Sequence, residues 1–271
     1  MPITADYHLH SHFSGDSQAP MEEMIQQGIH LGLTHMCFTE HMDIDYIYAD
    51  GQEEMFLLNT DSYLYDLIRC KEKYQDSIKL AFGVELGLQP HITKELAKYV
   101  KAFDFDFVIA SSHLCNRKDP YYPSFFEGRT EEEAFMEYFT ATLENIKKFS
   151  NFDVCGHLDY VVRYSPSLDQ NYSYEAYRTV LDAILTLLID REKGIEINTG
   201  GLKNGLRDVH PCKGVIKRYK ELGGEIVTIG SDAHTPQDIA RSFAQAEQVL
   251  TDCGFRYYCT FHGRMAEYHK L

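Results

Sequence analysis

Asp6-Tyr7-His8-Leu9-His10-Ser11-His12-Phe13-Ser14-Gly15-Asp16 reads as a short strand running into a turn, and its reading decides the fold. Side chains alternate faces along a strand, so His8 and His10 point one way and Leu9 the other. Two imidazoles two residues apart on one face are a ready pair of metal ligands. The chain turns through Ser14-Gly15, which lets Asp16 bend back toward the same ions. A His-x-His pair alone says little. Its weight comes from the strands that follow.

Working outward, apolar strands are expected over 34–39, 79–85, 105–112, 152–156, 194–198 and 225–230. Glu40-His41 closes the second strand, Glu85 the third, His113 follows the fourth and His157 the fifth. The seventh runs into Ser231-Asp232-Ala233-His234. Pro20 opens a helix with Met21, Met24, Ile25 and Ile29 on one face and Gly32 at its end. Further helices are expected over 61–74, 93–99, 130–149, 173–193, 209–222 and 236–253. Thr130 with Glu133 three residues on is a capping box, and Pro211 lies near the first turn of its helix. An extended tail follows over 255–261. Two aromatic stretches, 43–58 and 116–128, read as long loops that either wall a pocket or cover the barrel.

Seven strand–helix alternations mean parallel strands with helices outside. With no linker and no step in composition, residues 1–271 read as one domain, a distorted (β/α)7 TIM-like barrel. An open doubly wound sheet is the rival. A barrel brings strand ends to one rim, whereas an open sheet spreads them along a line, and the polar residues lie at the ends of six of seven strands.

The net charge of -15 disfavours nucleic acid or an anionic membrane as the main partner. No stretch has the apolar length to span a bilayer, and the opening residues Met1 to Asp6 lack the basic, apolar pattern of a targeting segment. Seven cysteines, at 37, 70, 115, 155, 212, 253 and 259, form no Cys-x-x-Cys and read as reduced thiols of a cytoplasmic protein.

His8, His10, Asp16, His41, Glu85, His113, His157, Asp232 and His234 make nine candidate ligands, too many for one ion and suited to two or three. Glu85 is the natural bridge, because one carboxylate can give an oxygen to each of two ions. Paired cations share a hydroxide and clamp the attacking and leaving oxygens of a displacement at phosphorus. The mixed donor set suits Zn²⁺, Mn²⁺ or Fe²⁺ better than Mg²⁺ or Ca²⁺ and does not choose among the three.

His8-Leu9-His10, Thr39-Glu40-His41, Gly83-Val84-Glu85, Ser111-Ser112-His113, Gly156-His157 and Ser231-Asp232-Ala233-His234 resemble, in order, the motifs of the PHP (polymerase and histidinol phosphatase) superfamily. The order and length are most similar to its stand-alone histidinol-phosphate phosphatases. The resemblance implies a trinuclear site. His8, His10, Glu85 and Asp232 would hold one ion, Glu85, His113 and His157 a second, and Asp16, His41 and His234 a third. It also implies a small phosphomonoester substrate, L-histidinol phosphate, cleaved in histidine biosynthesis by a metal-bridging hydroxide.

Arg163 resembles the family's phosphate-binding arginine, and Lys203, with Arg207 nearby, stands where relatives place a second cation. His41 is expected on the substrate side as well, and Asp232 or His234 is expected to protonate the leaving group. Plainer readings stand beside these. Arg163 can pair with Asp159 or Asp169, and Glu40 can orient an imidazole or be a rim charge. His12 reads as a solvated neighbour, and His30, His35, His91, His210, His262 and His269 as surface or packing residues. A PHP phosphoesterase for nucleotides or short oligonucleotides is the alternative function. An amidohydrolase would want a lysine at a strand end, which is lacking, and an inactive metal-loaded module would want missing ligands. The oligomeric state is not legible.

Overall fold

The computed structural model describes residues 3–48 and 55–271. Seven parallel strands follow one another in chain order: β1 (Ala5–Leu9), β2 (His35–Met42), β3 (Lys79–Gly87), β4 (Phe107–Ser111), β5 (Val154–Cys155), β6 (Gly194–Asn198) and β7 (Val227–Gly230). The chain after β7 returns to β1, where Asp232 N donates to His8 O at 2.9 Å and His10 N to Ala233 O at 2.9 Å. The nearly closed (β/α)7 barrel expected from the sequence is thus formed, and the open sheet is not. β4 is buried at every residue, as a strand covered on both faces must be.

Helices α1 (Met21–His30), α2 (Thr60–Tyr74), α3 (Thr93–Ala102), α4 (Glu131–Lys148), α5 (Arg178–Asp190), α6 (Gly200–Lys203), α7 (Lys213–Glu221) and α8 (Phe243–Asp252) surround the barrel. Their apolar stripes face the strands; α1 buries Met21, Met24 and Ile25 while Glu22 and Glu23 occupy its electropositive first turn. The capping box at Thr130 and Glu133 opens α4 as expected.

Some elements depart from expectation. Residues 209–212 precede α7 instead of starting it, because the backbone of His210 is spent on β6: His210 N donates to Asn198 O at 2.8 Å and Asn198 N to His210 O at 2.7 Å. The helix expected over 173–193 begins as a 3₁₀ turn, Tyr174–Tyr177, and the one expected over 236–253 is a 3₁₀ turn, Pro236–Asp238, before α8. A further 3₁₀ turn, Tyr160–Tyr164, follows β5 and carries Arg163. Of the loop expected over 43–58, positions 49–54 lie outside the described residues, and the rest forms neither helix nor strand.

The tail is an antiparallel hairpin, β8 (Tyr257–His262) and β9 (Met265–Lys270). Its two-residue turn places Gly263 and Arg264 at φ of 53° and 66°, the left-handed geometry that matches strand twist. Phe261 meets Phe107 and accepts from Tyr7 Oη at 3.1 Å, so the hairpin covers the barrel end opposite the polar rim.

β1 carries a one-residue bulge between Asp6 and Leu9 relative to β2. Successive residues Tyr7 and His8 therefore both point into the barrel, Tyr7 to Phe107 and His8 to Glu85.

Candidate metal centre

The rim gathers all nine candidate ligands. Glu85 lies beside His41 in the β2–β3 register, so strand pairing alone makes them neighbours. Glu85 Oε2 lies 3.2 Å from His8 Nε2, 3.5 Å from His10 Nε2 and 3.0 Å from His41 Nδ1. Its other oxygen lies 3.1 Å from His113 Nε2 and 2.9 Å from His157 Nε2. Asp232 Oδ1 is 3.7 Å from His8 Nε2 and 3.6 Å from His10 Nε2. Asp16 Oδ2 is 3.5 Å from His41 Nε2 and 3.0 Å from His234 Nε2. His41 thus has one ring nitrogen toward Glu85 and the other toward Asp16.

The surrounding hydrogen bonds fix the imidazole tautomers. His8 Nδ1–H donates to Glu196 Oε1 at 2.5 Å, and His113 Nδ1–H to Asp43 Oδ1 at 2.7 Å. Ser14 Oγ donates to Glu40 Oε2 at 2.6 Å, so it accepts from His10 Nδ1–H at 3.0 Å. His234 Nδ1–H donates to the Asp232 carbonyl at 3.0 Å. With cations bound, all four rings would keep the proton on Nδ1 and turn an Nε2 lone pair inward. Those lone pairs face carboxylate oxygens, and His8 Nε2, His10 Nε2, His234 Nε2, His41 Nδ1 and Glu85 Oε2 are buried without a hydrogen bond. Burying acceptor against acceptor is costly unless a cation lies between them. The donors also fall into four sets with ligand atoms within 4.8 Å of one another: His8, His10, Asp232; His8, Glu85, His157; His41, Glu85, His113; His10, His41, His234. The residues fit divalent cations.

The electrostatics agree. Burial opposes charge on Glu85, but positive charge among the surrounding imidazoles of His8, His113 and His41 holds its carboxyl well below the usual range, the pull that cations at the same place would exert. Burial likewise opposes Asp232, yet His8, His10 and Arg163 hold it well below its ordinary value. Both stay ready to ligate.

A cavity of about 450 Å³ opens onto the cluster. Asp16, His41, His113, His157, Asp232 and His234 line it, with Asp43, Asp119 and the rings of Tyr46, Phe56, Tyr121, Tyr122, Tyr160 and Tyr164. Arg163 is its one Arg or Lys among the described residues. Its Nη1 and Nη2 each donate to Asp232 Oδ2 at 3.2 Å, so its partner is neither Asp159 nor Asp169. Lys203 and Arg207 do not reach this cavity. Lys203 pairs with Asp238, and Arg207 with Asp169 at 3.1 Å, where it lines a second cavity of about 480 Å³. Both expected phosphate contacts thus lie outside this cavity, each paired with a neighbouring carboxylate.

His12 is exposed against Phe13, as expected. His210 is not a surface residue; it is buried and donates from Nδ1 to Asp159. Glu40 proves to orient His10 through Ser14, taking also Ser11 N at 3.0 Å. Sequence reading missed Glu196, Asp43 and Asn198. A signal was present for Glu196, a carboxylate inside an otherwise apolar strand.

Residues 6–200 match the PHP domain family. A histidinol-phosphatase of Lactococcus lactis subsp. lactis (strain IL1403) is 34% identical over 98% of this chain and 97% of that protein. The chain belongs to the PHP family. A probable histidinol-phosphatase of Clostridium acetobutylicum is 33% identical over 93% of this PHP chain and 94% of its own. The crystal structure of the lactococcal histidinol phosphate phosphatase, complexed with zinc, L-histidinol and phosphate, superposes with a TM-score of 0.88, at 32% identity over 97% of this chain and 98% of that one. The family match includes the candidate ligands from His8 to His157, and Asp232 and His234 lie beyond it. Among the described residues of this PHP barrel, no helix is long and apolar enough to cross a membrane.

Proposed function

We propose that the chain hydrolyses L-histidinol phosphate to L-histidinol and phosphate, using divalent ions held at the barrel rim. The observation that carries the reading is a single cavity in which the histidine–carboxylate cluster meets one buried arginine. The zinc, L-histidinol and phosphate bound to the similar lactococcal enzyme support it. His8, His10, Glu85 and Asp232 would hold one ion, Glu85, His113 and His157 a second, and Asp16, His41 and His234 a third. Such ions supply Lewis acidity at a phosphoryl oxygen and a water nucleophile at neutral pH.

The chain's own residues do the rest. Arg163 would bind phosphate oxygens as charge moves onto them, because a guanidinium offers charge-assisted, bidentate contacts. Asp232, held charged, anchors Arg163 and is a poor proton donor. His234 lines the cavity as well, but as a ligand of the third ion through Nε2 it would be no better a donor. Asp43, Asp119 and the tyrosine rings suit the cationic amine and imidazole of the alcohol portion. Burial raises the Asp119 carboxyl, so an incoming cation would stabilise its charge. All seven cysteines are free thiols, which suits a cytoplasmic enzyme of histidine biosynthesis.

Phosphate release across a metabolite panel, after reconstitution with Zn²⁺, Mn²⁺ or Fe²⁺, tests the reading. L-Histidinol phosphate should show the highest kcat/KM, and equal or better turnover of nucleotides would overturn it.

A further inference from the structure

We propose that Asp159 and His210 form a buried dyad that sets the guanidinium of Arg163 for phosphate, which makes His210 a positioning residue for the hydrolysis. The inference rests on the role given to Arg163 above. Neither dyad residue lines the cavity over the metal centre, and both are about 1% exposed.

The dyad has a direction. His210 Nδ1–H donates to Asp159 Oδ1, and Asp159 Oδ2 is held by Cys212 N at 2.8 Å. With its proton on Nδ1, the ring has Nε2 free as an acceptor, and Arg163 Nε–H donates to it at 3.4 Å. The guanidinium is thereby fixed on two edges, Nε by His210 and the two Nη atoms by Asp232 Oδ2. Asn198 Oδ1 adds a contact to Nη2 at 3.5 Å.

His210 is itself immobilised. Its backbone exchanges both hydrogen bonds with Asn198 at the end of β6. Its ring packs so closely on Gly201 that a Cβ there would lie 2.6 Å from Cδ2 and Nε2. An arginine side chain loses much rotamer freedom when it is held for a ligand, so a fixed acceptor removes freedom that phosphate binding would otherwise have to remove. A neutral imidazole suits the task better than a carboxylate at the same place. It orients Nε without adding a second full negative charge against the guanidinium, while Asp159 stands one bond further back.

The test compares His210→Gln with His210→Asn in the metal-reconstituted enzyme. Gln can put an amide oxygen near the Nε2 position and still accept from Arg163; Asn can replace only Nδ1. With an aryl phosphate as substrate, His210→Asn should lose about tenfold in kcat/KM and weaken inhibition by inorganic phosphate in parallel, the scale of an orienting contact. His210→Gln should stay within about threefold of wild type in both readouts. Metal content should be unchanged in each. In an Arg163→Ala background, His210→Asn should cost almost nothing more, because the two residues act as a unit. Equal losses in the two variants, or an undiminished loss in the Arg163→Ala background, would overturn the dyad. If His210→Asn does not fold, Asp159→Asn serves instead, and normal phosphate inhibition in that variant would also overturn it. Wild-type cleavage of the aryl phosphate without cleavage of L-histidinol phosphate would remove the substrate reading and leave the dyad standing.

Discussion

At the N-terminal end of the barrel Asp106 and Asp153 are buried among donors. Asp106 takes Phe82 N at 2.9 Å, Gly263 N at 3.0 Å and Lys71 Nζ at 3.3 Å, and Asp153 takes Val108 N at 2.8 Å and Arg264 Nε at 2.5 Å. At the C-terminal end Glu85 is buried more deeply, yet its Oε2 has no hydrogen bond and faces the rings of His8, His10 and His41. Both ends place carboxylates in low dielectric, but Glu85, unlike Asp106 and Asp153, keeps one oxygen that the chain itself does not complete. A satisfied buried carboxylate stabilises the fold, whereas one set against inward lone pairs needs a ligand from outside. The contrast separates the end that maintains the barrel from the end that does chemistry.

The contrast breaks most sharply at Glu85. Glu85→Gln keeps the size but removes the charge shared by two or more ion sites, and about three decades of kcat/KM, roughly 4 kcal/mol, should go with it. Metal analysis of protein prepared without chelator should exceed two equivalents in wild type and fall clearly in the variant. One ion per chain at saturation would defeat the three-ion reading. Asp16→Asn, at the exposed margin of the cluster, should cost less in both measurements.

Arg163→Ala should cost about two decades in kcat/KM, or about 2.7 kcal/mol, and weaken phosphate inhibition in parallel. Its metal content should hold, since removing the guanidinium frees Asp232 Oδ2 and takes no donor from the ions. Normal kinetics in this variant would reduce Arg163 to a structural partner of Asp232. Asp119→Asn should raise KM for L-histidinol phosphate about tenfold and leave an aryl phosphate unaffected, as expected for loss of a buried carboxylate facing a cation. An equal effect on both substrates would place the alcohol portion elsewhere.

The rim was far more legible than the support beneath it. His8, His41, Glu85, His113, His157 and Asp232 are polar residues at the ends of apolar runs, and a parallel barrel leaves such residues one place to go. Glu196 obeys the same logic one strand further on, but it lies inside its strand and not at the end, where a polar residue stands out. Asp43 and Ser14 sit in irregular chain, whose path no periodicity gives. The partners of Lys203 and Arg207 were not legible, because position near the rim does not settle which acidic neighbour a long cationic side chain will choose. The hairpin was half seen: β8 reads as an extended tail, but its turn has Gly263-Arg264 in place of the usual Asn-Gly, so nothing in the pattern announced β9.

The smallest expected effect on rate lies at the satisfied end. Arg264→Ala removes a charge-assisted donor from Asp153, which is 6% exposed, and leaves Val108 N as its remaining contact. Stranding a buried carboxylate this way should cost about 2 kcal/mol, below the full penalty because one donor stays. For a chain of this size that is a fall in Tm of about 5 °C. The loss should depend on pH in one direction. Burial already raises the Asp153 carboxyl even with Arg264 beside it, and removing the cation raises it further. A carboxyl whose folded pKa lies above its unfolded value destabilises the fold at higher pH and recovers as pH falls through the folded pKa. The deficit of Arg264→Ala should therefore be largest near neutrality and shrink on mild acidification, by thermal denaturation at a series of pH values. Its kcat/KM and metal content should match wild type, because the site lies across the length of the barrel. A variant that loses activity in proportion to its lost Tm would mean that the two ends are coupled, and the division of labour between them would fall.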